Sequence, residues 1–313
     1  MIKMKIMKYS ILYLLLLAFT FASCASEDED LTPSHADRNL FAPSDDDQSE
    51  TAEIQREFYK KNGCYILFND TLSNEPNGQD ANGNPLWKTQ LVDVNYPVIG
   101  SVSSSYEYTY KYVKDATIQR KAAEYIGEQL ADKLGKNCPY SFLVVDSVYA
   151  WTYSNGVRTL VTPNSWTGAT PYPTNVQGNR CIVVSIHDKE MFENPNYLLG
   201  IIQGMAYKKI QNMNQSLLDE FYSYSKNYYS VRKSDLGYPM GTGQDDAARN
   251  FGFWKDHNYF YFGVTYFDVK NFSNAACEYS LAEVEEMMKD YPLVIAKFKV
   301  MRDLLIGMGF DLK

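Results

Sequence analysis

Histidine is scarce in this chain: three residues in 313, at positions 35, 187 and 257. No two share a helical turn, which excludes a local pair of imidazoles of the kind that grips zinc. Positive charge is also short. Thirty Lys and Arg face 38 Asp and Glu, for a net charge of −8, and no basic stripe offers a footprint for nucleic acid. A Gly-x-Ser-x-Gly elbow is missing, so His187-Asp188 reads as a strand-end imidazole beside a helix-capping carboxylate rather than half of a hydrolase triad. Past residue 24 no apolar run reaches the length of a membrane span, and no internal repeat recurs.

What is present begins at the first residue. Lys3, Lys5 and Lys8 precede an apolar run from Ile11 to Leu17, and the run closes on Phe21-Ala22-Ser23-Cys24. The core is too short for a spanning helix and ends in small residues, as a cleaved signal does. The last four residues resemble the bacterial lipobox, which implies acylation of Cys24 and attachment of the mature chain to a lipid membrane. Acyl chains hold at roughly 0.8 kcal/mol per buried methylene. Glu27-Asp28-Glu29-Asp30 follows, and it resembles the acidic tag that sends lipoproteins of gut anaerobic Gram-negative bacteria to the outer face of the outer membrane.

Residues 25–50 hold nine acids, one Arg and two Pro, a composition that predicts a disordered acidic tether. As a flexible coil it would reach about 30 Å. The acidity of the chain is concentrated there, so residues 51–313 are close to neutral. That length suits one domain with a sizeable core.

The domain reads as α+β, a mixed sheet with packed helices. Periodicity predicts helices over residues 49–61, 115–134, 196–213 and 290–309, and strands over 64–68, 101–113, 141–151 and 181–187. Residues 74–85, with four Asn, two Gly and two Pro, predict a loop. Tyr106, Tyr108, Tyr110 and Tyr112 alternate, which places them on one face of a strand.

The order of strand 181–187 and then an apolar helix from Tyr197, together with Phe251-Gly252-Phe253 and the ending Tyr291-Pro292-Leu293 to Gly309-Phe310-Asp311-Leu312, resembles the zinc metallohydrolase lipoproteins associated with substrate import, a zincin-like family. The resemblance implies a zincin-like fold and a helix bearing His-Glu-x-x-His. Here the corresponding positions are Gln203, Gly204 and Tyr207. An amide is a poor zinc ligand, a phenol must lose a proton with a pKa near 10, and glycine supplies no base. The expectation is therefore a scaffold without metal, cofactor or peptidase chemistry. Gly204 predicts close packing at mid-helix, since it costs about 1 kcal/mol against Ala.

Four cysteines of the domain, Cys64, Cys138, Cys181 and Cys277, form an even set without zinc-ribbon spacing. Two disulfides are expected in an exported protein, with three pairings open. Twenty-six tyrosines concentrate at residues 106–112, 221–229 and 259–266. Around Tyr222, Tyr224, Tyr228 and Tyr229 apolar periodicity is poor, which makes that stretch the expected contact surface. Three function classes stay open: a non-catalytic accessory of an outer-membrane nutrient importer, a hydrolase of other chemistry, and a free-standing module that binds glycan or peptide. For the first, the resemblance implies a TonB-dependent transporter and its substrate-binding lipoprotein as partners.

Overall fold

The computed structural model describes residues 38–92, 94, 106–165, 168–178, 180–187 and 189–312. Cys24 and the expected signal, residues 1–24, lie outside them. The chain divides into a unit ending at Asn39 and a unit spanning Leu40–Lys313, and the second carries the fold. The tether is expected to run to residue 50, but the domain takes in its last eleven residues. Phe41 sets its ring edge-on to Tyr140 at 4.8 Å and lies 6.0 Å from Tyr65. Arg56 donates to the carbonyls of Ser44 and Asp47 at 3.3 and 2.8 Å. One aromatic anchor and one guanidinium fix a stretch whose average composition favours disorder.

Helix α1, Glu50–Asn62, starts where Ser49 accepts from the Ala52 amide and stops at Gly63, whose φ of 70° is left-handed. Strand β1, Tyr65–Leu67, leads to two strands where a loop was expected. Thr71–Gln79 (β2) and Pro85–Leu91 (β3) pair antiparallel as an exposed hairpin. The turn is built by Asp80, whose carboxylate accepts from the amides of Asn82 and Asn84 and from the Asn84 side chain, each at 2.8 Å. Both faces of this ribbon meet solvent, so its sequence carries no apolar alternation to betray it.

The main sheet is organised around β5, Ser141–Ser154. Its first half lies parallel to β1 and to β8, Cys181–Ser185. Its second half pairs antiparallel with β4, Glu107–Tyr112, and β6, Val157–Leu160. Trp151 is paired with Glu107 and with Leu160, so β4 and β6 flank opposite edges. Strand β7, Asn175–Gln177, closes the far side of β8. Alternation along β5 separates two cores. Phe142 and Val144 face the helices, while Leu143 and Val145 face Val92, Val94 and the tyrosines of β4. Tyr108, Tyr110 and Tyr112 share that face as expected; residues 101–105 lie outside the described residues.

Helix α2, Ala116–Ile126, is capped by Asp115 and continues through a π-turn at Gly127–Ala131. It buries Ala122, Ile126, Leu130 and Leu134. Gly135 ends this run at φ 54°, and a Cβ there would sit 2.6 Å from the Gly309 carbonyl. Helices α3 (Leu199–Asn212), α4 (Asp219–Ser223), α5 (Asp245–Asn250), α6 (Thr265–Glu278), α7 (Leu281–Met287) and α8 (Pro292–Gly307) complete the fold. Between α4 and α6 most of the chain is irregular, and two buried ion pairs support it. Lys233 donates to both carboxylate oxygens of Asp256 at 2.6 and 2.7 Å and to the Asn258 carbonyl at 2.7 Å. Lys297 of α8 donates to Asp268 of α6 at 2.6 Å. Each ammonium gathers polar groups that no regular ladder satisfies.

Candidate functional site

Gln203, Gly204 and Tyr207, the residues that the expected resemblance sets against His-Glu-x-x-His, lie on α3. Gln203 turns its amide to the Asn274 carbonyl of α6 at 3.3 Å. Gly204 is exposed, and a Cβ there would meet only the Gln177 amide nitrogen, at 3.9 Å. The expected tight packing at Gly204 is thus corrected: that side of α3 is open. Tyr207 accepts from the Gln211 amide at 3.1 Å, and burial with Tyr266 alongside pushes its phenol up to about 12. This set does not fit zinc, because it offers a committed amide, no side chain and a protonated phenol.

A different constellation stands around Tyr207. Its ring meets Tyr266, the second residue of α6, edge to face at 5.9 Å. Tyr222 of α4 completes a cleft of about 280 Å³, whose remaining wall is Ile210, Gln211, Gln215, Thr265 and Val269. The i, i+4 spacing of Tyr207 and Gln211 puts both on the same stripe of α3. Gln215 is held in place by donating to the Ile210 carbonyl at 3.0 Å. Tyr266 is half exposed, and Phe267 beside it stacks on His257 at 5.4 Å. Burial, with the Asp268 charge nearby, also raises the Tyr222 phenol. At neutral pH the cleft therefore presents aromatic faces, neutral hydroxyls and amides, with no carboxylate or ammonium among its described lining residues. Such a wall can stack on a flat apolar face and exchange hydrogen bonds with neutral hydroxyls. Its described lining residues include no carboxylate, imidazole or thiol.

The expected contact surface is corrected by the same geometry. Tyr229 donates to Asp268 and lies 3.2 Å from Lys297 Nζ, and Tyr228 packs on Phe251 at 4.8 Å. Tyr222 belongs to the cleft, and Tyr224 is half-buried. These tyrosines are mostly structural, because the irregular segment they enter has its own small core around Phe253 and Phe262. Gly252, φ 81°, permits that packing: a Cβ there would fall 2.6 Å from Ser225 Oγ.

His187 has neighbours the sequence did not reveal. Its Nδ1 lies 3.2 Å from Ser147 Oγ, and that hydroxyl donates to Asp146 at 2.7 Å. Lys111 neutralises Asp146 at 3.0 Å. The arrangement is not a triad. Serine and aspartate approach the same ring nitrogen, so the imidazole cannot pass a proton from one side to the other.

Of the cysteines, the structure brings Cys64 and Cys138 together, with sulfurs 2.9 Å apart as thiols. Cys181 and Cys277 are buried in different cores. The expectation of two disulfides is corrected to a single candidate pair. No family model, curated protein or solved structure matches this chain.

Proposed function

We propose that this chain is a lipid-anchored surface protein of the outer membrane that binds a neutral saccharide without catalysis, as an accessory of a TonB-dependent nutrient importer and its substrate-binding lipoprotein. The observation that carries the reading is Tyr207. The position where the resemblance calls for a second zinc-binding imidazole holds a phenol that lines an aromatic cleft with Tyr222 and Tyr266. A sugar ring has an apolar C–H face and a hydroxylated edge, which matches tyrosine faces flanked by Gln211, Gln215 and Thr265. The cleft is slightly smaller than the ~300 Å³ lower bound usual for pockets that enclose a ligand, so it suits the end or edge of a glycan chain. The acylation motif at Cys24 and the acids after it support the location.

The test is a glycan array and calorimetry on the full chain, with Tyr266→Ala as the probe variant because that ring is half exposed. Expected is binding to neutral oligosaccharides, weakened at least about tenfold by the substitution. Release of new reducing ends during the titration would replace the non-catalytic reading with a hydrolase. In cells, Cys24→Ala should abolish protease-accessible protein at the surface; persistence of membrane-bound, exposed material would remove the anchor from the proposal. A mild-detergent pull-down that recovers no transporter would favour the free-standing binding module.

A further inference from the structure

The other flank of α3 has a different chemistry. Met205, Lys208, Lys209 and Asn212 recur at three- and four-residue spacing and form one stripe of the helix. Facing them across a groove of about 550 Å³ are Gln177 of β7, Ile182 of β8 and the chain end at Met308 and Phe310. The volume falls within the range of ligand pockets, roughly 300–1,000 Å³. Its walls are largely carbon, and three of the residues are methionines, Met205, Met213 and Met308, whose flexible thioethers adapt to an apolar guest.

The charge of the groove is one-sided. Two lysines line it, and no carboxylate does among the described lining residues, although the chain as a whole carries −8. Lys209 is held over the groove: its ammonium donates to Asn137 and lies 3.4 Å from the Met308 carbonyl and 5.9 Å from the Phe310 ring centre. Burial lowers the amine of Lys208, so an anion brought against it restores what the ammonium loses in hydration. Apolar walls alone would take any hydrocarbon, and ammonium groups alone would take any anion. Their combination selects a molecule with both parts.

We propose that this groove binds a single-chain amphipathic anion, its acyl chain along Met205, Met308 and Phe310 and its carboxylate against Lys208 and Lys209. The site is separate from the tyrosine cleft, so either can fail without the other. The test uses the full chain in phosphatidylcholine nanodiscs with methyl-labelled methionine, titrated with decanoate, 1-decanol and inorganic phosphate. Decanoate should shift the Met205, Met213 and Met308 methyl resonances and saturate well below about 1 mM. Decanol should bind about tenfold more weakly, and phosphate should leave the three methyls unmoved. Lys208→Gln, at a helix position that is not sealed in the core, should lower decanoate affinity about tenfold and leave decanol affinity unchanged. Unmoved methyls with decanoate would overturn the proposal. So would equal binding of decanoate and decanol, or shifts with phosphate that match those with decanoate.

Discussion

Lys297 Nζ and Asp268 Oδ2 lie 2.6 Å apart with neither side chain reached by solvent. Four rings surround the ammonium, with Phe221 at 4.5 Å, Phe253 and Phe272 at 4.9 Å and Tyr229 at 5.4 Å. Burial lowers the Lys297 amine and raises the Asp268 carboxyl, while each partner's charge opposes the shift of the other. Removing one member strands the other in an apolar cage. Lys297→Met should therefore cost about 3–5 kcal/mol in urea unfolding, and adding Asp268→Leu should recover much of the loss. A single variant as stable as the parent would show that the pair is not needed to hold α6 against α8.

Tyr229 tests the same cluster from its rim. Its hydroxyl donates to Asp268 Oδ2, and Asp268 Oδ1 has no protein partner. Tyr229→Phe keeps the ring and removes one of the donors, so about 1–3 kcal/mol should be lost. Tyr224→Ala, at a half-buried site, should change stability by less than about 0.5 kcal/mol. Equal effects at the two positions would mean that residues 221–229 form the uniform exposed surface their sequence suggests.

That contrast shows where the sequence is legible. Helices with a strong apolar stripe, such as α2 and α8, lie within a few residues of where periodicity places them, because burial of one face decides them. Pro292 opens α8 as its fixed φ allows. The irregular segment between α4 and α6 is not legible, because its order comes from Lys233 and Lys297, and a lysine that neutralises a distant aspartate looks like any surface lysine in a linear string. The β2–β3 hairpin is hidden for the opposite reason: with no buried face it carries no alternation. The tyrosine cleft was half readable. Tyr207 and Tyr222 stood out, and the third tyrosine concentration contained Tyr266. Their meeting depends on how α4 and α6 pack beside α3, which no local spacing encodes. Gln211, passed over in the sequence, is an amide four residues from Tyr207 on a helix, and that spacing is a signal that places both on one stripe.

The cysteines offer a test that separates geometry from parity. Four cysteines in a domain expected to be exported suggest two bridges by count alone, yet of these four only Cys64 and Cys138 are in contact, 2.9 Å apart. They join the start of β1 to the turn before β5, which the parallel β1–β5 register brings side by side. Cys181 lies under the second face of the sheet and Cys277 in the helical core, and burial pushes both thiols up to about 12. Each is buried in its own core without a second thiol beside it, so neither should form a bridge. Oxidised glutathione should take two electrons from the Cys64–Cys138 pair, whose sulfurs release two protons as the bond forms. Closing a loop of about 75 residues should then raise stability by about 4 kcal/mol. Alkylation after denaturation should label Cys181 and Cys277 and spare the other two, and reductant should lower the melting temperature of the parent but not of Cys64→Ser. Four labelled cysteines after oxidation, or a bridged peptide joining Cys181 to Cys277, would contradict the assignment.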